Sequence, residues 1–235
     1  MFPLLMDPTY LCFMLPGLAL VMFASWYVNS AYRKWSQVRN RSGLTGAQAA
    51  QRLISSGGLA GVQIQGIGGN LTDNYDPRDK VLRLSQGVAN TASVASVAVA
   101  AHELGHAMQD AEGYFPLRFR AALVPAVSVG SWLGWIMILA GLFLRLTNLA
   151  WLGVLVFSGG ALFALATLPV ELNASARAKR LLADTGIIAG PDEQAGVNKV
   201  LNAAALTYVA GLASAVLQLL YFVSLVGGMG GRRRG

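Results

Sequence analysis

The chain has 235 residues, of which 54% are hydrophobic and only 12% are charged, with a mean hydropathy of +0.51 and a formal net charge of +7. These values argue against an ordinary soluble domain, in which about a quarter of the residues are charged. They also argue against a nucleic-acid partner, because the basic residues form no stripe interleaved with stacking aromatics. The single cysteine, Cys12, excludes a disulfide framework or a thiolate metal cluster within one chain.

Four segments are long and apolar enough to cross a bilayer, approximately residues 9–29, 122–144, 149–169 and 204–228. A helix crossing a hydrocarbon core of about 30 Å needs roughly 20 mainly apolar residues. The first segment is predicted to be a retained anchor, because it is too long for a signal-peptide core and no basic region precedes it. Basic residues follow this anchor and place its C-terminal side in the cytoplasm: Arg33, Lys34, Arg39, Arg41 and Arg52.

Between the first two spans, the pattern predicts a short helix, a small antiparallel sheet and a longer helix. Thr45 is the expected N-cap of the short helix, which ends at Gly57 and Gly58. Alternating apolar residues in 62–84, with a turn at 76–79, predict the sheet. The longer helix is expected from about Asn90 to about Ala111, capped by Asn90 or Thr91.

The second and third spans are joined by a few residues around the sequence RLTN and therefore form a predicted antiparallel hairpin. Two crossings return the chain to its starting side, so that Glu171 emerges beside the longer helix and begins a helix of its own, to about Ala183. A fourth full crossing places the basic tail outside, against the usual charge preference, which we treat as an exception. A final segment that does not fully span would remove this conflict.

Residues 97–110 read VAVAAHELGHAMQD and contain both histidines of the chain. On a helix, His102 and His106 stand about 6 Å apart on one face, where both imidazoles can bind one metal ion. Glu103 is then placed as a general base for water rather than as a ligand, which is the H-E-x-x-H arrangement of zinc peptidases. By chance the pattern is expected on the order of once in a hundred such chains.

A catalytic zinc ion has three protein ligands and one open position. With no third histidine, the third ligand must be an oxygen, and Glu171 is the best candidate because a carboxylate so close to a span is costly without a partner. The alternative is an acid stabilised by the helix dipole. Asp110 and Glu112 follow His106 too closely to turn back and are expected to face water. Three further acids are expected in turns: Asp73, Asp76 and Asp79.

The sequences NYDPRDKVLRLSQGV, AVAAHELGHAMQ and LPVELNASARA, in this order and with the hairpin between the last two, resemble the YugP-type integral membrane zinc metallopeptidases. The likeness covers essentially the whole chain. It implies a gluzincin, HtpX-like in plan, in a bacterial plasma membrane, with one Zn²⁺ per chain. Matched residue by residue, His102, His106 and Glu171 are the implied zinc ligands, and Glu103 is the implied base.

One position departs from the wider gluzincin pattern, in which an acid four residues after the ligand glutamate orients a zinc-bound histidine. Here that residue is Ser175. The orienting group therefore stays open among Ser175, Asn173, an acid elsewhere and backbone carbonyls.

Together these observations predict a mainly α fold with polytopic membrane helices, a zincin-like helical catalytic core and a small antiparallel β-sheet. The predicted segments are an anchor (1–30), a cytoplasmic catalytic segment (31–121), a transmembrane hairpin (122–170), a cytoplasmic helix with the third ligand (171–203) and a C-terminal span with a basic tail (204–235).

The predicted function is zinc-dependent endopeptidase activity on proteins or peptides at the cytoplasmic membrane face, in membrane-protein quality control. The expected partners are the substrate and the lipid bilayer, and the sequence identifies no regulatory partner. Two alternatives are a zinc hydrolase acting on a non-peptide amide or a very specific signalling peptide, and a scaffold protein with a silent zinc site. A silent site fits less well, because structural sites usually have four protein ligands and have no use for Glu103.

Overall fold

A computed structural model describes residues 7–231, which form eight helices and three short strands. The helices are α1 (Pro8–Ser36), α2 (Gly46–Ser56), α3 (Gln86–Asn90), α4 (Val94–Ala111), α5 (Phe115–Phe143), α6 (Thr147–Phe157), α7 (Gly159–Asp184) and α8 (Pro191–Gly231). The strands are β1 (Gln63–Ile67), β2 (Asn74–Asp76) and β3 (Val81–Ser85). The mainly helical fold with a small sheet is confirmed.

Four helical segments are long and apolar enough to cross a membrane, and each contains most or all of one predicted span: Pro8–Ser36, Phe115–Phe143, Thr147–Asp184 and Pro191–Gly228. Large apolar side chains on them are exposed, including Trp132, Phe143 and Leu155. An apolar surface of this extent requires lipid rather than water around it. The basic tail at Arg232, Arg233 and Arg234 lies outside the described residues.

The described chain divides into two compact units. The first consists of the chain up to Ala24, Phe119–Leu168 and the chain from Thr207. Within it, glycines allow close contact of α5 with α6: a Cβ on Gly141 would lie 2.5 Å from the Ala150 nitrogen, and one on Gly153 would lie 2.6 Å from the Ile138 nitrogen. Small residues at such contacts are how membrane helices pack.

The second unit consists of Ser25–Arg118 and Pro169–Leu206 and contains the sheet, α4 and the larger hydrophobic core. Its α2 begins with the predicted cap: the Thr45 side chain accepts a hydrogen bond from the Gln48 nitrogen, and the Gln48 side chain accepts one from the Thr45 nitrogen. The helix ends at Gly57, followed by Gly58 with φ of +65°. Both ends of α2 therefore agree with the sequence.

The sheet is mixed rather than antiparallel, with strand order β1-β3-β2. β2 and β3 form the predicted antiparallel hairpin, but β1 pairs with β3 in parallel. The prediction failed because the chain turns twice between β1 and β3, so these two strands run in the same direction. β3 is consequently the central strand, and both of its edges are paired.

α4 begins later than predicted, at Val94, and a separate short helix, α3, precedes it. The chain between them is held extended by hydrogen bonds from the Asn40 nitrogen to the Ala92 oxygen and from the Val94 nitrogen to the Val38 oxygen. Ser93 is therefore the N-cap of α4, and its side chain accepts from the Ser96 nitrogen. Neither Asn90 nor Thr91 has this role, because the chain stays extended from Thr91 to Ser93. The prediction failed because the pairing with residues 38–40 cannot be recognised from the local sequence.

Glu171 does not begin a helix, contrary to the prediction, but lies well inside α7, which continues through Pro169. Proline removes one backbone hydrogen bond and is tolerated in membrane helices. The alternative of an N-terminal acid stabilised by the helix dipole is therefore excluded for Glu171. Similarly, α8 begins at Pro191 and runs without interruption into the last predicted span.

Candidate metal centre

Two histidines on α4 and one glutamate on α7 bring their side chains together in the second unit. Glu171 Oε2 lies 3.3 Å from His102 Nε2 and 3.4 Å from His106 Nε2. One ligand atom from each residue lies within 4.8 Å of the other two, and residues 7–231 contain no other such group of three. The side chain of Glu171 is only 3% exposed. A buried carboxylate between two imidazoles is the chemistry of a divalent cation site.

The glycine of the HELGH sequence explains how α7 comes close enough. A Cβ on Gly105 would lie 2.4 Å from the Ala174 carbonyl oxygen, a distance that no side chain tolerates. Gly105 and Ala174 therefore allow the backbones of α4 and α7 to contact each other directly. Because of this contact, the Glu171 side chain lies next to the face of α4 that carries both histidines.

Gln109 orients His106 and was not predicted from the sequence. Its Nε2 donates to the Val170 oxygen at 2.8 Å and to Asn173 Oδ1 at 2.9 Å, which fixes the orientation of the amide. Gln109 Oε1 then faces His106 Nδ1 at 3.0 Å and accepts a hydrogen bond from its N–H. His106 Nε2 is thereby left with its lone pair directed toward Glu171, as a metal ligand requires. The spacing His106, Gln109 on one helix was the available signal.

His102 contacts Ser175, one of the alternatives left open by the sequence. Ser175 Oγ lies 3.1 Å from His102 Nδ1, and the serine is buried. The position four residues after Glu171 thus contacts a histidine here as well, with a hydroxyl in place of a carboxylate. Asn173, a second alternative, reaches His106 only through Gln109.

A polar network continues outward from Asn173. Arg177 Nε donates to Asn173 Oδ1 at 2.7 Å, and Arg177 Nη1 donates to Glu112, whose pKa this bond lowers. Arg177 therefore forms an ion pair with Glu112. Asp110, expected to face water, instead accepts a hydrogen bond from the Tyr75 hydroxyl.

Glu103 stands beside the three grouped side chains without belonging to them. Its Oε2 accepts a hydrogen bond of 3.1 Å from the backbone nitrogen of Tyr75. Burial raises the pKa of the Glu103 carboxyl; His102 and His106 lower it in part, and Glu171 and Asp73 raise it further. A carboxylate with a raised pKa is a better general base near neutral pH than an ordinary one.

The chain matches the model of a protein family described as "putative neutral zinc metallopeptidase" over residues 10–227. The chain belongs to this family. It is also 43% identical over 209 residues to a protein named "putative membrane protease YugP" from Bacillus subtilis (strain 168), covering 89% of this chain and 92% of that protein. No solved structure matches it.

The family name makes Zn²⁺ the expected metal of this protein. The side chains of His102, His106 and Glu171 are ligands of the kind that Zn²⁺ prefers. Two imidazole nitrogens and one carboxylate oxygen are characteristic of zinc sites that keep an open position. The contacts from Gln109 and Ser175 leave the Nε2 atom of each histidine facing Glu171. The membrane helices agree with the membrane protease name of the Bacillus relative.

Proposed function

We propose that the protein is a zinc-dependent endopeptidase that cuts proteins or peptides at the cytoplasmic face of a bacterial plasma membrane. His102, His106 and Glu171 hold the metal, and Glu103 is the general base. The grouping of these three side chains beside Glu103 is the observation that carries the proposal. Family membership supports the reaction class.

Each protein group has a defined task in the proposed reaction. Zinc, when bound, supplies the Lewis acidity that lets water attack a carbonyl carbon at neutral pH. Glu103 accepts a proton from the attacking water and passes it to the leaving amine. Gln109 and Ser175 hold the imidazole rings so that their Nε2 atoms stay directed at one point.

The membrane orientation in this proposal rests on charge. Most of the 18 lysines and arginines lie in segments 31–121 and 171–203. Lysine and arginine in short loops next to spans favour the cytoplasmic side. We therefore propose that both segments, and the candidate site within them, lie in the cytoplasm. The proposed biological role, cleavage of proteins at this face, is membrane-protein quality control.

Casein degradation by the detergent-purified protein tests the reaction and its base. Glu103→Gln is expected to keep zinc and lose activity by at least about 10²-fold, because proton transfer is lost while the ligands remain. Asp192→Asn, which neutralises an exposed carboxylate at the start of α8, is the matched control and should remain active. Zinc-loaded wild-type protein that cuts no protein substrate would instead favour one of the two alternatives, a hydrolase of a non-peptide amide or a very specific peptide, or a silent scaffold.

A further inference from the structure

Tyr75 contacts α4 through both its backbone and its side chain. Its backbone nitrogen donates to Glu103 Oε2 at 3.1 Å, and its hydroxyl donates to Asp110 Oδ2 at 2.9 Å. Tyr75 lies in β2, an edge strand whose only neighbour in the sheet is β3. Its N–H points away from β3, so it is available to a group outside the sheet.

The two contacts follow one face of α4. Glu103 and Asp110 are seven residues apart, which is close to two helical turns and about 10 Å along the axis. His106 lies between them on the same face, since it is three residues after Glu103 and four before Asp110. Tyr75 therefore spans the stretch of α4 that carries the base and one candidate ligand.

The residues on either side of Tyr75 are fastened to β3. Asp73 Oδ1 accepts from the Ser85 nitrogen at 2.7 Å, and Asp76 Oδ2 pairs with Arg83 Nη1 at 2.8 Å. These two contacts fix β2 on each side of the Tyr75 N–H. The position of Tyr75 is thus fixed in two ways. The contacts of Asp73 and Asp76 hold its backbone on β3, and its hydroxyl is bound to Asp110.

We propose that Tyr75 is the positioning residue of Glu103, with its backbone N–H holding one carboxylate oxygen and its hydroxyl anchored on Asp110. Within the described residues, Tyr75 is the one hydrogen-bond donor to Glu103. Oε2 is held, and Oε1 is left to take the proton from water. This inference rests on the proposed peptidase function.

The hydroxyl anchor is tested by a double-mutant cycle. Tyr75→Phe and Asp110→Ala should each lower kcat about tenfold with KM unchanged, and the double variant should be no worse than either, because all three lose the same bond. Asp110→Asn keeps an acceptor oxygen and should restore most of the activity. Asp79→Asn, on the same hairpin, is the control and should match wild type. Additive losses, or a change in KM alone, would overturn the anchor.

The backbone donor is tested by a second pair of variants. Tyr75→Ala and Tyr75→Pro both remove the ring and hydroxyl, but only proline removes the N–H, and edge strands tolerate proline. The proline variant should have a kcat about tenfold below that of the alanine variant at equal zinc content. Equal kcat values for the two variants would show that the N–H does not act on Glu103.

Amide exchange provides a measurement that does not depend on activity. The chain has seven tyrosines, so protein labelled with ¹⁵N-tyrosine gives few amide signals, and Tyr75→Phe identifies the relevant one. Glu103→Ala should speed hydrogen exchange at Tyr75 at least tenfold and leave the other tyrosines unchanged. Unchanged exchange at Tyr75 overturns the contact.

The outcomes separate this inference from the proposed function. If Glu103→Gln abolishes casein hydrolysis while Tyr75→Phe, Asp110→Ala and Tyr75→Pro match their controls, the positioning role fails and the peptidase stands. If wild-type protein with one zinc per chain hydrolyses nothing, the proposed function fails and takes the positioning role with it.

Discussion

At the scale of single residues, Gln109 holds three polar groups of the candidate site in place. It binds His106, the Val170 carbonyl and Asn173 at once, and it is fully buried. Gln109→Leu keeps the approximate shape but leaves all three groups without this partner. We expect zinc affinity to fall about 10- to 100-fold, the loss typical in other proteins when a residue that orients a metal-bound histidine is replaced.

Competition with a chelator measures this loss of affinity. Ser175→Ala removes one contact, to His102 Nδ1, and should have the smaller effect. Gln51→Leu, on the exposed face of α2, is the matched control. Equal zinc affinity in Gln109→Leu and wild type would show that His106 is oriented by something else.

The sequence was sufficient to predict that His102, Glu103, His106 and Glu171 lie together, and it left Ser175 and Asn173 open as supporting residues, but it did not identify Gln109 or Tyr75. His102, Glu103 and His106 follow from spacing on one helix, and Glu171 follows from the return of the hairpin. Gln109 and Tyr75 were missed because their roles depend on partners 28 to 64 residues away in sequence. The ligand assignments themselves stay predictions until the metal is measured.

At the scale of elements, the contact of α4 with α7 decides whether the three candidate ligands meet. Gly105→Ala places a methyl group 2.4 Å from the Ala174 oxygen, so the helices must separate. We expect a loss of about 1–3 kcal/mol in stability, as for other overpacked sites, together with weaker zinc binding. Thermal unfolding and zinc content of the same preparations measure both effects.

Gly66→Ala is the control for this prediction. Gly66 lies in β1, and the nearest atom to an added Cβ is in the flexible Gln86 side chain at 3.6 Å. This variant should bind zinc like wild type. A Gly105→Ala protein with wild-type stability and zinc content would contradict the prediction, because it would show that α4 and α7 can accommodate a methyl group between Gly105 and Ala174.

Local signals predicted some elements correctly and misled in others. The capping box and glycines of α2 are local features, and both ends of that helix were found. The start of α4 depends instead on pairing of residues 92–94 with residues 38–40, and the mixed sheet depends on β1 pairing with β3 rather than with β2. The continuation of α7 through Pro169 was missed because proline normally marks a helix start in soluble proteins.

At the scale of the whole molecule, the proposed topology predicts which loops face the cytoplasm. In a Cys12→Ser background, a cysteine at Ala60 should react with a membrane-impermeant thiol reagent only after the membrane is opened. A cysteine at Leu144, between α5 and α6, should react in intact cells. Both positions are exposed. The reverse labelling pattern would place the candidate site outside.

Hydropathy alone predicted the four helical segments that are long and apolar enough to cross a membrane, because a continuous run of about 20 apolar residues matches the thickness of the hydrocarbon core. Membership of the zinc metallopeptidase family and the grouping of His102, His106 and Glu171 agree with the cofactor expected from the HELGH sequence. The side of the membrane on which each loop lies was inferred from the distribution of lysine and arginine. The length and hydropathy of the helices do not indicate it.

The most direct measurement is the zinc content of the purified wild-type protein beside Glu171→Ala and Glu103→Gln. We predict about one zinc per chain in wild type and in Glu103→Gln, and almost none in Glu171→Ala, because the proposal makes Glu171 a ligand and Glu103 the base. A Glu171→Ala protein that still holds one zinc tightly would contradict the proposed site.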